Sequence, residues 1–106
     1  MKSVENSFEK SKLVLRLERN QREMGQLKTK LSSYICEPRT YNLFERSETL
    51  KKGLEHLSNS NREMIENLKE RKKSVEDYMD NVKQQLSEFQ ELQQGVHDYV
   101  QGIRSY

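Results

Sequence analysis

The sequence predicts an all-α protein, a long helical hairpin that forms an oligomeric coiled coil or helical bundle. The first observation is a seven-residue hydrophobic repeat that keeps its phase from Leu50 to the end of the 106-residue chain. The second is composition, because 32% hydrophobic residues are too few for a thick core but enough for a narrow helical seam. The third is that Pro38 is the only proline, so the chain has one strong helix breaker.

Two columns of residues carry the repeat, and their spacing alternates four and three, as the a and d positions of a coiled coil do. The a column comprises Leu54, Asn61, Leu68, Val75, Val82, Phe89, Val96 and Ile103. The d column comprises Leu50, Leu57, Met64, Arg71, Tyr78, Gln85, Leu92, Tyr99 and Tyr106. Because no skip interrupts these columns, we predict one continuous helix over about residues 42–106.

A first helix is predicted over about residues 3–36, since the same four-three spacing runs from Leu13 to Tyr34. Pro38 disfavours helical backbone at the residue before it, which places a loop at residues 36–41. Asn42, with an acidic residue three positions later, is the predicted cap of the second helix.

An antiparallel hairpin in which facing residue numbers add up to 81 matches every apolar layer of the first helix with an apolar layer of the second. In this register Asn20 faces Asn61, and a buried polar pair of this kind sets the alignment of two helices. The predicted intrachain seam comprises Leu13, Leu17, Met24, Leu27, Leu31, Leu50, Leu54, Leu57, Met64 and Leu68.

An alternative interpretation breaks the second helix near residues 58–61, because Ser60 and Glu63 form a possible capping box. The chain would then be a three-helix, spectrin-like bundle. Against this, the heptad phase continues through Leu57, Asn61 and Met64.

The hairpin leaves the last part of the second helix without a partner, which predicts oligomerisation. The chain is treated as a single coiled-coil unit over residues 1–106, with an intrachain hairpin at 1–75 and an oligomerisation or partner-binding helix at 76–106. The predicted interface comprises Tyr78, Val82, Leu86, Phe89, Leu92, Val96, Tyr99, Val100 and Ile103. We expect the partner to be the chain itself, as a homodimer or tetramer, or another coiled-coil subunit.

Charge is unevenly distributed along the chain. Residues 1–53 carry 12 Lys/Arg and 7 Asp/Glu, whereas residues 54–106 carry 7 and 10. Lys12, Arg16 and Arg19 form one basic stripe on the first helix and are a possible contact for a polyanion. No aromatic residue is interleaved with them, so a solvated helix face is favoured over nucleic-acid binding.

The sequence offers little chemistry for catalysis or for a metal. His56, His97 and Cys36 lie far apart, and neither histidine falls at an a or d position. We therefore predict no enzyme, no metal and no cofactor. No apolar run reaches the length of a membrane span, and a lone cysteine is typical of reducing compartments, so we expect a soluble intracellular protein, cytoplasmic or nuclear.

In general architecture, a first helix followed by a long heptad helix with Gln85 at a d position resembles the SNARE class. That resemblance implies a component of membrane fusion, although Asn61 and Arg71 add polar layers that depart from the pattern. The function predicted from the repeat itself is a non-enzymatic coiled-coil structural or assembly protein that mediates self-association or scaffolding. The alternatives are a helical adaptor or chaperone for a client helix, a SNARE-like component, and a weak nucleic-acid-binding protein.

Overall fold

Three α-helices make up almost all of the described chain. The computed structural model describes the backbone of residues 2–70 and 75–104, and the side chains of residues 10–70 and 76–103. Helix α1 is Lys2–Leu31, α2 is Tyr41–Lys69 and α3 is Val75–Arg104, with a short 3-10 helix, Tyr34–Cys36, between α1 and α2. The prediction of an all-α fold is confirmed for these residues.

Helix α1 ends five residues earlier than the predicted position 36, because two serines follow Leu31. Ser33 has extended backbone angles, φ −75° and ψ 155°, and its hydroxyl donates to the Lys30 carbonyl at 2.7 Å. Serine competes in this way for backbone groups that would otherwise continue a helix. The 3-10 helix that follows carries Cys36 into the core, where it is 2% exposed.

Thr40, and not Asn42, caps the second helix. Its backbone is extended, and its hydroxyl oxygen accepts a hydrogen bond from the Leu43 amide at 3.2 Å. This bond satisfies one of the amides that the first turn of a helix leaves without a partner. The prediction of Asn42 as the cap is therefore wrong by two residues.

The prediction of one helix over residues 42–106 is wrong, because α2 ends at Lys69 and α3 begins at Val75 and packs back against α2. Arg71 and Tyr106, two residues of the d column, lie outside the described residues. The spectrin-like alternative gave the right number of helices but the wrong break, since residues 58–61 lie within α2. Ser60 does not begin a helix there.

Helices α2 and α3 are antiparallel and lie close together at two glycines. Leu92 packs against Gly53, and Leu50 packs against Gly95, so each helix places a leucine over a glycine of the other. Asn67, near the end of α2, donates a hydrogen bond to the hydroxyl of Tyr78, near the start of α3. These contacts fix the register of the two helices along most of their length.

Helix α1 is antiparallel to α2 and packs on both other helices, which completes an up-down-up bundle with extents of 57 × 20 × 18 Å. Its contacts with α2 lie close to the predicted register, since Gln21 bonds both Ser58 and Asn61. Two apolar clusters form the core. The one near the α1–α2 loop contains Met24, Leu31, Cys36, Leu50, Leu54, Leu57, Phe89, Val96, Tyr99 and Val100. The one at the opposite end contains Val14, Leu17, Leu68, Tyr78 and Val82.

Candidate interaction surfaces

The stripe predicted as the oligomer interface lies inside the single chain. Six of its residues are at most 7% exposed, namely Tyr78, Val82, Phe89, Val96, Tyr99 and Val100. The other three, Leu86, Leu92 and Ile103, are partly buried against the same clusters. The premise that residues 76–106 lack an intrachain partner is thus wrong for the described residues, because α3 folds back and α1 and α2 cover this stripe.

The residues predicted as the intrachain seam lie on the inner faces of α1 and α2. Seven are buried, namely Leu17, Met24, Leu31, Leu50, Leu54, Leu57 and Leu68. Leu13, Leu27 and Met64 are partly buried against the clusters. These residues contact α3 as well as each other. The seam of the predicted hairpin therefore supplies two of the three helix faces that surround the core.

A polar layer separates the two apolar clusters at mid-bundle. Asn61 is 0% exposed, and its amide nitrogen donates to the Leu17 carbonyl at 2.7 Å and to Gln21 Oε1 at 2.8 Å. Among the described residues its Oδ1 has no hydrogen-bond partner. Asn20 is also buried, at 7%, but the hydrogen bonds of the Asn61 amide nitrogen go to Leu17 and Gln21, on either side of Asn20 in α1. The layer therefore joins α1 and α2 through Leu17 and Gln21.

Gln85, the residue behind the SNARE resemblance, belongs to the same level of the bundle. It is 3% exposed, and its side-chain nitrogen donates to the Leu57 carbonyl on α2 at 2.8 Å. Its amide nitrogen thus bonds the chain's own backbone. The long heptad helix on which the resemblance depended is also replaced by two shorter helices.

The most exposed apolar side chains lie together in sequence at one end of the bundle. The described residues include five exposed large hydrophobic side chains, and four of them fall between positions 34 and 44. We call these four the apolar tip: Tyr34 at 89%, Ile35 at 74%, Tyr41 at 73% and Phe44 at 50% exposure. Tyr34 and Ile35 line a hollow that includes Pro38, and Tyr41 and Phe44 line a second one on the first turns of α2.

Sequence reasoning missed this surface, since the four-three spacing that runs from Leu13 to Tyr34 placed Tyr34 on the apolar face of the first helix. The signal that could have revealed it is the density of large apolar residues around Pro38, where a turn needs only small or polar ones. Clusters of exposed apolar groups on a folded protein mark surfaces that bind other molecules.

A buried hydrogen bond attaches the tip to the core. Tyr99 on α3 is 1% exposed, and its hydroxyl donates to the Cys36 carbonyl at 2.9 Å. Cys36 follows directly on Tyr34 and Ile35, and Thr40 caps the helix that carries Tyr41 and Phe44. Both halves of the tip therefore stand on anchored backbone.

A basic face runs along the solvent side of α1. Lys12, Arg16 and Arg19, the predicted polyanion contact, are all exposed, and Arg22 continues the same face. The carboxylate of Glu18 beside them lies 3.5 Å from the Lys69 ammonium, which offsets its charge. Leu15, 63% exposed, stands among these cations. The face has the charge needed to attract an anionic partner.

The described residues contain no group of three or more His, Cys, Asp or Glu placed to hold a metal ion. His56 and His97 are exposed on different helices, and Cys36 is buried. A hollow of about 200 Å³ between α1 and α2 contains one ion pair, Lys28 with Glu55 at 4.0 Å. The volume of this hollow is smaller than the roughly 300–1,000 Å³ of typical small-molecule sites.

Within the described ranges, no helix combines the length and the apolar character needed to cross a bilayer. No protein-family model matches the chain, and neither the curated proteins nor the solved structures contain a match.

Proposed function

We propose that this chain is a non-enzymatic helical protein that assembles protein complexes, and that it docks through the apolar tip. The observation behind this proposal is the exposure of Tyr34, Ile35, Tyr41 and Phe44 on a bundle whose other large apolar residues are mostly covered. Leaving these side chains in water forgoes hydrophobic stabilisation that a partner would supply. The proposal retains assembly as the function but moves the interface from α3 to the α1–α2 end.

Two alternatives predicted from the sequence require that the apolar stripe of α3, from Tyr78 to Ile103, is accessible to a partner. A chaperone that receives a client helix there, or a coiled coil that recruits a second α3, would first have to detach α3 from the bundle. That would expose Val82, Phe89, Val96 and Tyr99, each at most 3% exposed. Burial of each such side chain contributes roughly 1.5–3 kcal/mol, so docking at the tip requires far less rearrangement.

The experiment is a quantitative co-purification from cells that naturally express the chain, with three tagged forms of the protein. These are the parent, the tip variant Tyr41→Ser with Phe44→Ser, and the control Leu15→Ser, which removes an exposed apolar residue elsewhere. We expect at least one stoichiometric protein, a second copy of the chain included, to be lost with the tip variant and kept with the control. The same proteins at the same ratios in all three samples would contradict a docking role for the tip.

The basic face of α1 supports a second candidate, the binding of a polyanion. The observation that favours it is the alignment of exposed Arg16, Arg19 and Arg22 on one side of the helix. Retention on immobilised heparin should fall after Arg16→Glu with Arg19→Glu, but not after Lys83→Glu on α3. Equal retention of the two variants would exclude a specific role for this face.

A further inference from the structure

We propose that the molecule that covers the apolar tip is a second copy of this chain, docked tip to tip about a two-fold axis. This inference rests on the proposed assembly function and names the partner. In such an arrangement two rods meet end to end, and the free ends of the bundles point away from each other.

The area of the tip is close to what a dimer needs. A buried aromatic side chain covers about 150–250 Å². With Tyr34 89% exposed, Tyr41 73%, Phe44 50% and Ile35 74%, the tip offers on the order of 500 Å² per copy. Two copies together reach about 1,000 Å², the lower limit of specific interfaces, before any contribution from the rim.

The charged residues around the tip suit a copy of itself better than a partner of one charge. The charged residues that line the two hollows are Glu37 and Arg39 in one case, and Glu45, Glu48 and Lys52 in the other. The rim thus holds three acidic and two basic groups, and one of the acidic groups, Glu48, lies 4.0 Å from the Lys51 ammonium. A two-fold interface places each patch against the same patch of the other copy, so it needs both signs to pair across the axis. A strongly acidic partner would leave the acidic rim groups unmatched, and a strongly basic partner would leave the basic ones unmatched.

Anchoring of the tip lowers the entropic cost of docking. The Tyr99 hydroxyl donates a hydrogen bond to the Cys36 carbonyl, and the Thr40 hydroxyl oxygen accepts one from the Leu43 amide. Association loses less conformational freedom when the docking residues stand on ordered backbone. The three tip aromatics also have few rotatable bonds, as is common for residues that dominate interfaces.

The proposed arrangement has a distinctive shape. One bundle is 57 Å long and about 20 Å wide. Tip-to-tip docking nearly doubles the length of the particle and leaves its width unchanged. Side-by-side docking of two bundles leaves the length unchanged and nearly doubles one of the two shorter dimensions. Small-angle scattering therefore separates the two arrangements once the mass of the particle is known.

The experiment combines sedimentation equilibrium with small-angle scattering on the full chain and three variants. Tyr41→Ser with Phe44→Ser removes one half of the tip, Tyr34→Ser with Ile35→Ser removes the other, and Leu15→Ser is the control. All targeted residues are at least 50% exposed, so circular dichroism should show unchanged helix content. We expect an elongated dimer whose dissociation constant rises at least about tenfold in both tip variants and stays within about twofold in the control.

Three results would overturn this inference, and they leave the assembly function in different positions. A dimer that survives both tip substitutions, or that is short and wide, places self-association on another surface and leaves the assembly function intact. A monomer at all concentrations excludes the second copy, and the co-purification experiment then decides whether another protein binds the tip. A monomer whose tip binds vesicles of anionic lipid, and loses that binding in the tip variants, assigns the surface to a membrane and contradicts both proposals.

Discussion

Leu92 lies directly over Gly53, because a Cβ atom at this glycine would stand 3.0 Å from Leu92 Cδ2. The second pair, Leu50 and Gly95, has the same geometry, since a Cβ atom at Gly95 would stand 3.0 Å from Leu50 Cδ2. Glycine inside a helix costs stability relative to alanine, so its use at these two positions has a packing explanation. The missing side chains let α2 and α3 approach, and that approach closes the side of the bundle that the predicted hairpin left open.

Gly25→Ala and Gly53→Ala should therefore differ in stability. Nothing lies within 4 Å of a Cβ at Gly25, so its replacement should raise the free energy of unfolding by roughly 0.5–1 kcal/mol through helix propensity alone. At Gly53 the displacement of Leu92 should offset that gain or exceed it. Urea denaturation of both variants measures the difference. Equal gains in the two variants would mean that Leu92 shifts without cost and that the glycine is not required for packing.

Asn61→Asp should destabilise the bundle strongly at neutral pH. A carboxylate at this 0% exposed position would face two acceptors, the Leu17 carbonyl and Gln21 Oε1, in place of its present hydrogen bonds. We expect a loss of about 3 kcal/mol, as for other uncompensated buried charges. Burial raises the pKa of the introduced carboxyl above its value in the unfolded chain. The loss is therefore complete well above that folded-state pKa and shrinks as the pH falls through it.

The control for this change is Asn59→Asp, an exposed residue on the same helix. It should alter the free energy of unfolding by less than about 0.5 kcal/mol at both pH 7 and pH 4. Urea midpoints at the two pH values provide the comparison. If Asn61→Asp behaves like Asn59→Asp, the polar layer is hydrated in solution and does not hold α1 on α2.

Tyr99→Phe should loosen the apolar tip while leaving the bundle folded. The substitution removes the hydroxyl that donates to the Cys36 carbonyl at 2.9 Å and costs about 1 kcal/mol in global stability. Amide hydrogen exchange in residues 32–40 should accelerate more than exchange in the middle of α2. Tyr41→Phe, which changes a 73% exposed tyrosine, serves as the matched control and should leave both quantities unchanged. Uniform acceleration in all three helices would assign Tyr99 a general role in the core and none specific to the tip.

Phe89→Asp distinguishes a core residue from an interface residue. Phe89 is 3% exposed within one chain and packs in the cluster nearest the tip, so a carboxylate there should abolish cooperative unfolding and much of the helical circular dichroism. The control is Gln90→Asp, at the exposed neighbouring position. If Phe89→Asp instead produced a well-folded monomer from an oligomer, α3 would be an interchain element, as the sequence alone suggested.

Part of the fold could be predicted from the sequence, and part could not. The a and d columns identified most of the buried positions described in α2 and α3, including Asn61, Leu68, Val82 and Val96, because a heptad pattern reports which side of each helix is apolar. They could not report whether α2 and α3 are one helix, since both helices face the same core and the phase continues across their junction. The tip was missed for a related reason, because a pattern of apolar spacing does not distinguish a covered residue from an exposed one.

The sequence by itself determined that the chain is all-α, where its breaker at Pro38 lies, and which helix faces are apolar. Only the tertiary structure decided that α3 turns back to cover α1 and α2, that Asn61 bonds Leu17 and Gln21, and that the exposed apolar surface lies at the tip. The physical reason is the cost of association. Closing a short connection within one chain costs less entropy than recruiting a second molecule, so a hydrophobic stripe that can fold onto its own chain does so before it binds another.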